Sequence, residues 1–180
     1  MRLFIAIPLP ADIKDFLTQM KDKSLPIKWS KPENYHLTLR FIGEVNKERC
    51  NSICEQLKSV RRDELFELKL SGLGAFPNTD KPRVIWSGVD PEKPVEDLYI
   101  NIEKALRCID EKSDEKTYHP HVTIGRVKKT VPEIQGYLRD NQSSSSRRFR
   151  VDRFCLYESE LRKEGAVHTV IETYLLGNEL

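Results

Sequence analysis

His36-Leu37-Thr38-Leu39-Arg40-Phe41-Ile42-Gly43-Glu44 is answered in the second half of the chain by Pro120-His121-Val122-Thr123-Ile124-Gly125-Arg126. Both stretches open on the same phrase of His, apolar, Thr, apolar. A β-strand sends alternate side chains to opposite faces. As strands, each phrase turns His and Thr to one face and buries its two apolar residues on the other. One phrase in each half of a 180-residue chain suggests a fold written twice. If the halves meet, their shared surface carries two imidazoles and two hydroxyls, a set suited to acid–base chemistry on a phosphate.

The order of elements around the phrases repeats as well. Arg2 to Ile7 reads as a strand. After Pro10, the spacing of Ile13, Phe16, Leu17 and Met20 predicts a helix with one buried face. A polar stretch with Pro26 and Pro32 leads into the strand of the first phrase, Tyr35 to Val45. Asn46 then suits a helix N-cap, with Ile53, Leu57 and Val60 inward. Phe66, Leu68 and Leu70 alternate in a further strand. The second half runs from a strand over Arg83 to Val89 to a helix after Pro94. A charged loop then leads to the strand of the second phrase. Thr130 and Glu133 have the spacing of a capping box for the next helix. Strands over Arg148 to Tyr157 and Val167 to Leu176 end the pattern. The expectation is an α+β fold of two pseudo-symmetric β-α-β-α-β lobes. Antiparallel sheets would line a central cleft, with helices outside. It would form one bilobal domain over 1–180, with a first repeat of about 1–78 and a second of about 79–180, joined at Gly72 to Asn78. Ser143 to Ser146 reads as a flexible turn.

Composition limits the function classes. The chain is 38% hydrophobic and 32% charged with net charge +2, so a packed globular protein is expected and bulk charge cannot drive nucleic-acid binding. The N-terminal apolar run is broken by Pro8, and no run has transmembrane length, which points to the cytoplasm. Cys50, Cys54, Cys108 and Cys155 match no zinc spacing. Cys50 and Cys54 share a helical face with Ile53 and Leu57 and read as small core residues. No metal and no cofactor are expected.

An unperturbed imidazole titrates at about 6.5, so at neutral pH one histidine can accept a proton while another donates one. Placed on opposite sides of a phosphorus, such a pair suits in-line displacement. Thr38 and Thr123 can donate to the non-bridging oxygens. Strict alternation turns Arg126 away from His121, but Gly125 can mark a bulge that re-aims it toward a phosphate. Arg40 shares the parity of His36 and would face the cleft or solvent. His119, two residues before His121, is a rival to it. His168 lacks a matching phrase and reads as structural or exposed. Trp29, Tyr35, Phe41 and Tyr118 lie near the phrases, where each would pack in the core or stack on a base. The basic run Arg147, Arg148, Arg150 and Arg153 would track a nucleic-acid backbone or lie solvated.

HLTLRFIGE from His36, PHVTIGR from Pro120, the opening MRLFIAI, the GLGAFPN join and Arg83-Val84-Ile85-Trp86 together resemble the two-histidine phosphoesterases. The RNA 2′,3′-cyclic phosphodiesterases, also called 2′-5′ RNA ligase-like proteins, are the branch they resemble over nearly the whole chain. The resemblance implies metal-free hydrolysis of a terminal 2′,3′-cyclic phosphate to a 2′-phosphate. It implies His36 as proton donor toward the ribose O3′ and His121 as proton acceptor from water. Thr38, Thr123 and Arg126 would hold the phosphate, and Phe41 would stack on the terminal base. Simple alternation, however, sets Phe41 on the face opposite His36. The implied partners are RNA ends bearing a cyclic phosphate, including tRNA fragments, and a monomer is expected. The reverse reaction, 2′-5′ RNA ligation, and a non-catalytic RNA-end binding module are the alternatives.

Overall fold

The computed structural model describes residues 1–60, 65–109 and 117–177. The charged loop expected before His121 falls largely on 110–116, outside the described residues. Two antiparallel sheets carry the fold. The first has the order β3-β1-β8-β9, from β3 (His36–Glu44), β1 (Arg2–Pro8), β8 (Arg153–Arg162) and β9 (Gly165–Leu175). The second has the order β2-β6-β5-β4-β7, from β2 (Ile27–Trp29), β6 (Val122–Val127), β5 (Val84–Asp90), β4 (Phe66–Phe76) and β7 (Phe149–Val151). The α+β architecture thus has the two antiparallel sheets that the repeated pattern implies.

Four helices pack on these sheets: α1 (Ala11–Gln19), α2 (Lys47–Lys58), α3 (Lys93–Leu106) and α4 (Pro132–Asp140). Each buries the stripe that its periodicity marks out. Ile13 and Leu17 are buried in α1, and Cys50, Ile53 and Leu57 in α2. Val95, Leu98, Ile102 and Leu106 are buried in α3, and Ile134 and Leu138 in α4. Each such Leu or Ile contributes about 1.5–3 kcal/mol of hydrophobic stabilisation. Asn46 caps α2 as expected, its side chain accepting from the Arg49 N–H at 2.9 Å. The capping box is absent. Val131 occupies the N-cap of α4 without a side-chain bond, because Pro132 holds the first helical position and Thr130 lies outside the helix.

The sheets are not built from contiguous halves. β1 and β3 of the first half pair with each other, as β5 and β6 of the second half do. The third long strand of each half crosses over: β4 pairs with β5, and β8 pairs with β1. The exchange is reciprocal, so the pseudo-symmetry survives while neither half owns a complete sheet. It also explains two departures from the sequence expectations. Gly72 to Phe76 is not a linker but the second half of β4. Arg148 to Tyr157 is not one strand, since β7 pairs with β4 and β8 with β1, and the chain changes sheets at Asp152. Gly74 is needed in β4 because the indole of Trp86 lies where a Cβ would stand.

Two stretches expected to be irregular are ordered. Ile27 to Trp29 adds β2 to the edge of β6. The serine run is stitched to β4. Leu70 N–H donates to Ser146 Oγ at 2.9 Å, Gly72 N–H donates to Ser144 O at 2.8 Å, and Ser146 is buried. A flexible turn would leave these edge groups of β4 to water.

Candidate active site

The sheets meet where β3 touches β6, which are the strands of the two phrases. Tyr118, just before the second phrase, donates its hydroxyl to the carbonyl of Thr38 at 2.9 Å and so ties the phrases together. Its ring stacks on Tyr99 at 4.2 Å.

Both strands carry a bulge at the same place. Along β1, Ala6 faces Thr38, Ile5 faces Arg40 and Phe4 faces Phe41, so Leu39 is the extra residue. Along β5, Trp86 faces Thr123, Ile85 faces Gly125 and Val84 faces Arg126, so Ile124 is the extra residue. Phe4 and Ala6 lie on one face of β1, and therefore Thr38 and Phe41 lie together. Val84 and Trp86 likewise place Thr123 and Arg126 together. A bulge shifts parity by one. It re-aims the fifth residue after each histidine, Phe41 in one half and Arg126 in the other. The bulge anticipated at Gly125 is present. The one in β3 corrects the alternation that set Phe41 opposite His36, and the Phe4 ring lies 4.7 Å from His36 and 6.1 Å from Phe41. Gly125 also lets β2 approach, for a Cβ there would lie 2.6 Å from Ile27 Cγ2.

The bulge moves Arg40 off the parity of His36. It is buried, and its guanidinium pairs with Glu103 of α3 at 2.8 Å, so it is no solvated strand residue. Of the four aromatics near the phrases, Tyr35 is fully buried, Trp29 donates its indole N–H to Asp22 O, and Tyr118 is half-buried. Phe41 is 68% exposed, which leaves its face open to a base.

The two histidines are held alike. The carbonyl of His119 lies 2.7 Å from His121 Nδ1. A carbonyl only accepts, so Nδ1 carries the hydrogen and the neutral ring keeps its Nε2 lone pair. The backbone of Asn34, again two residues upstream, favours the protonated form of His36 as that of His119 favours the protonated form of His121. Phe76 packs edge-on against His121 at 4.8 Å, and Trp86 against His119 at 4.8 Å.

A cavity of about 1010 Å³ opens between the sheets, with Thr38, Arg40, Phe41, Tyr118, His119 and His121 among its walls. Thr38, Phe41 and His121 are thus brought to one space. His36 lies beside it, two residues from Thr38 on the same face, while Thr123 and Arg126 fall outside its walls. In the basic run, Arg147 is bound to Asp12 of α1 and Arg153 to Asp152. Cys50 is buried as expected, whereas Cys108 is exposed. Among the described residues no three His, Cys, Asp or Glu side chains gather closely enough to hold a metal, and no helix is long and apolar enough to cross a membrane.

The sequence did not place His168, read as structural or exposed, beside His36. The β8–β9 hairpin brings its ring to 5.1 Å from His36 and 4.8 Å from Phe4, both edge-on. A contact between strands at opposite ends of a sheet order leaves no local pattern in the sequence. The nearby Gly165-Ala166 turn signals only the hairpin.

Burial pushes the His36 imidazole down to about 3, with His168 and Lys14 adding repulsion. Burial also lowers His121 and His168. The folded protein therefore holds these rings neutral, while the unfolded chain takes up protons below about 6.5. Their contribution to stability is complete above that pH and is lost as pH falls toward the folded values. Stability should thus drop between pH 7 and 5, with His36 adding a slope of at most about 1.4 kcal/mol per pH unit. Urea unfolding of the protein and of His36→Asn at both pH values checks this. An equally steep decline in the variant would show that His36 is not the source.

The chain belongs to the LigT like Phosphoesterase family, whose model matches it twice, over residues 7–86 and 89–168. Each match carries one of the two phrases. A protein of Archaeoglobus fulgidus named RNA 2′,3′-cyclic phosphodiesterase is 33% identical, the alignment covering 97% of this chain and 99% of that protein. One of the same name from Methanocaldococcus jannaschii is 32% identical, over 97% of this chain and 100% of that protein. Among solved structures, Escherichia coli LigT complexed with 3′-AMP superposes with a TM-score of 0.79 at 25% identity, over 98% of both chains. A Thermus thermophilus protein superposes at 0.77 with 28% identity, over 99% of this chain and 100% of its own.

Proposed function

We propose that this protein is an RNA 2′,3′-cyclic phosphodiesterase that opens a terminal cyclic phosphate to a 2′-phosphate, with His36 as proton donor and His121 as proton acceptor. The observation that carries this is the paired construction of the site. Each histidine opens its own His-x-Thr phrase, His121 has its Nδ1 engaged by the His119 carbonyl, and the strands of the two phrases meet. The free Nε2 of His121 suits removal of a proton from water. The hydroxyls of Thr38 and Thr123 and the guanidinium of Arg126 supply donors for the charge that builds on phosphorus. Phe41 supplies an exposed face for the terminal base. The reciprocal strand exchange supports 1–180 working as one domain, since each half completes the other's sheet.

In the empty protein His36 is neutral at pH 7. An anionic phosphate beside it favours the imidazolium, so His36 takes up a proton from solvent as the substrate binds. Water attacks phosphorus as His121 takes its proton. The P–O3′ bond breaks as His36 delivers a proton to O3′, and the phosphate stays on O2′. The water proton ends on His121, and both rings return to their starting state by exchange with solvent.

The decisive experiment is regiochemical. A two-histidine pocket is nearly symmetric in chemistry, but the RNA is not, and its base and chain decide which oxygen lies beside which ring. Incubation with a dinucleotide ending in a 2′,3′-cyclic phosphate should yield the 2′-phosphate, read by phosphorus NMR. A predominant 3′-phosphate would exchange the roles of His36 and His121. No turnover in the presence or absence of added divalent metal would remove the proposal.

A further inference from the structure

We propose that His168 is a positioning residue for His36: its ring fixes the orientation of the His36 imidazole, and its charge state governs how readily that imidazole takes a proton. The inference rests on His36 being the acid of the proposed reaction. It begins from an arrangement of rings. His36 on β3 packs against Phe4 on β1 at 4.7 Å, and Phe4 stacks on Tyr157 of β8 at 5.0 Å with an interplanar angle of 8°. The β8–β9 hairpin then folds over this row and sets His168 edge-on to His36 at 5.1 Å and 70°. Asn34 locks the hairpin in place by donating its side-chain amide to Ala166 O at 3.1 Å. Asn34 lies two residues before His36, so this bond ties the start of β3 to the hairpin that carries His168.

The consequence for orientation is direct. Phe4 and His168 pack against the His36 ring. Without the His168 ring the imidazole has room to tilt, and catalysis by proton transfer depends on sub-ångström placement. The consequence for charge follows from distance. Two imidazolium rings this close repel, so protonation of one opposes protonation of the other. His168 is half-buried, and its Nδ1 is buried without a hydrogen-bond partner. Burial disfavours a positive charge on it. From β3 it meets His36, and its coupling to that ring is mirrored by Lys14 of α1, which also acts on His36. Through Phe4 lies the neutral Tyr157 of β8. On its outer side a cavity of about 490 Å³ is lined by Lys31, Lys163, Glu33, Glu164 and Arg162, the last paired with Glu160 at 2.8 Å. Burial disfavours a charge on either ring, and at this distance the two compete for one proton.

The experiment compares the protein with His168→Phe, which keeps a flat ring but no charge, and His168→Ala, which keeps neither. Two readouts are taken: kcat and KM on a nucleoside 2′,3′-cyclic phosphate, and NMR titration of the His36 ring in saturating inorganic phosphate. His168→Ala should lower kcat about tenfold with KM changed less than about twofold, as expected when a reacting group loses orientation rather than substrate binding. His168→Phe should recover most of kcat and raise the His36 titration midpoint by about half a pH unit or more. An unchanged midpoint in His168→Phe, or wild-type kcat in His168→Ala, overturns the proposal. If His168→Ala does not fold, the His168→Phe titration decides alone. If the unmodified protein does not turn over the cyclic phosphate, the proposed reaction fails, while the phosphate titration still tests the coupling of the two rings.

Discussion

Replacing either His36 or His121 with alanine should lower turnover of a 2′,3′-cyclic phosphate by at least about 100-fold, the usual contribution of a general acid or base. Substrate affinity should change far less, because the proposed phosphate donors Thr38, Thr123 and Arg126 are left in place. His119→Ala should cost much less than either. Its ring lines the cavity against Trp86, but its link to His121 runs through its backbone carbonyl, which alanine keeps. If His119→Ala is inactive and His121→Ala active, the roles of the two are reversed. The pH profiles add a sharper test. The profile of kcat/KM reports groups of the free enzyme, and that of kcat reports the bound complex. In the free enzyme burial holds His36 near 3 and lowers His121. Bound phosphate raises His36, so the kcat profile should lie at higher pH than that of kcat/KM. Coincident profiles would mean that His36 does not take up a proton as the substrate binds.

Arg40→Met should destabilise the fold by about 3–5 kcal/mol, the scale for stranding one member of a buried ion pair. Arg40 and Glu103 approach to 2.8 Å with side chains only 6% and 16% exposed. Removing the cation leaves the largely buried Glu103 carboxylate, which lines the cavity beside Arg40, without this partner. The double variant Arg40→Met/Glu103→Leu should regain most of the loss, since well-packed apolar side chains often replace a buried pair at no net cost. Urea unfolding of the three proteins measures both terms. A loss below about 1 kcal/mol in the single variant, or no recovery in the double, would show that the pair is solvated or carried by other contacts. Arg40 stands next to the bulge that turns Phe41 to the face of His36, so the ion pair also anchors the strand at the point where its parity changes.

How much was legible depended on whether a feature has a local cause. Helix α2 was readable to its cap, because Asn46 and the stripe of Cys50, Ile53 and Leu57 are both contained in one short segment. The capping box at Thr130 was misleading for a local reason too. Pro132 prefers the first helical turn, which pushed the cap to Val131. Arg126 could be re-aimed on paper because Gly125 flags a bulge. The matching bulge at Leu39 has no glycine, so strict alternation misplaced Phe41 and Arg40.

The sequence by itself determined the repeated order of elements, the buried stripes of all four helices, the α+β class and the two His-x-Thr phrases. These follow from periodicity and residue type, which act over a few neighbouring positions. Only the tertiary structure decided that β4 and β8 exchange sheets, that the serine run completes the β4 edge, that Arg40 is buried on Glu103, and that His168 lies against His36. Each of these depends on which strand pairs with which, and in what register. Register is set by many weak contacts between segments far apart in the chain, and a single extra residue reverses the face of every side chain that follows it.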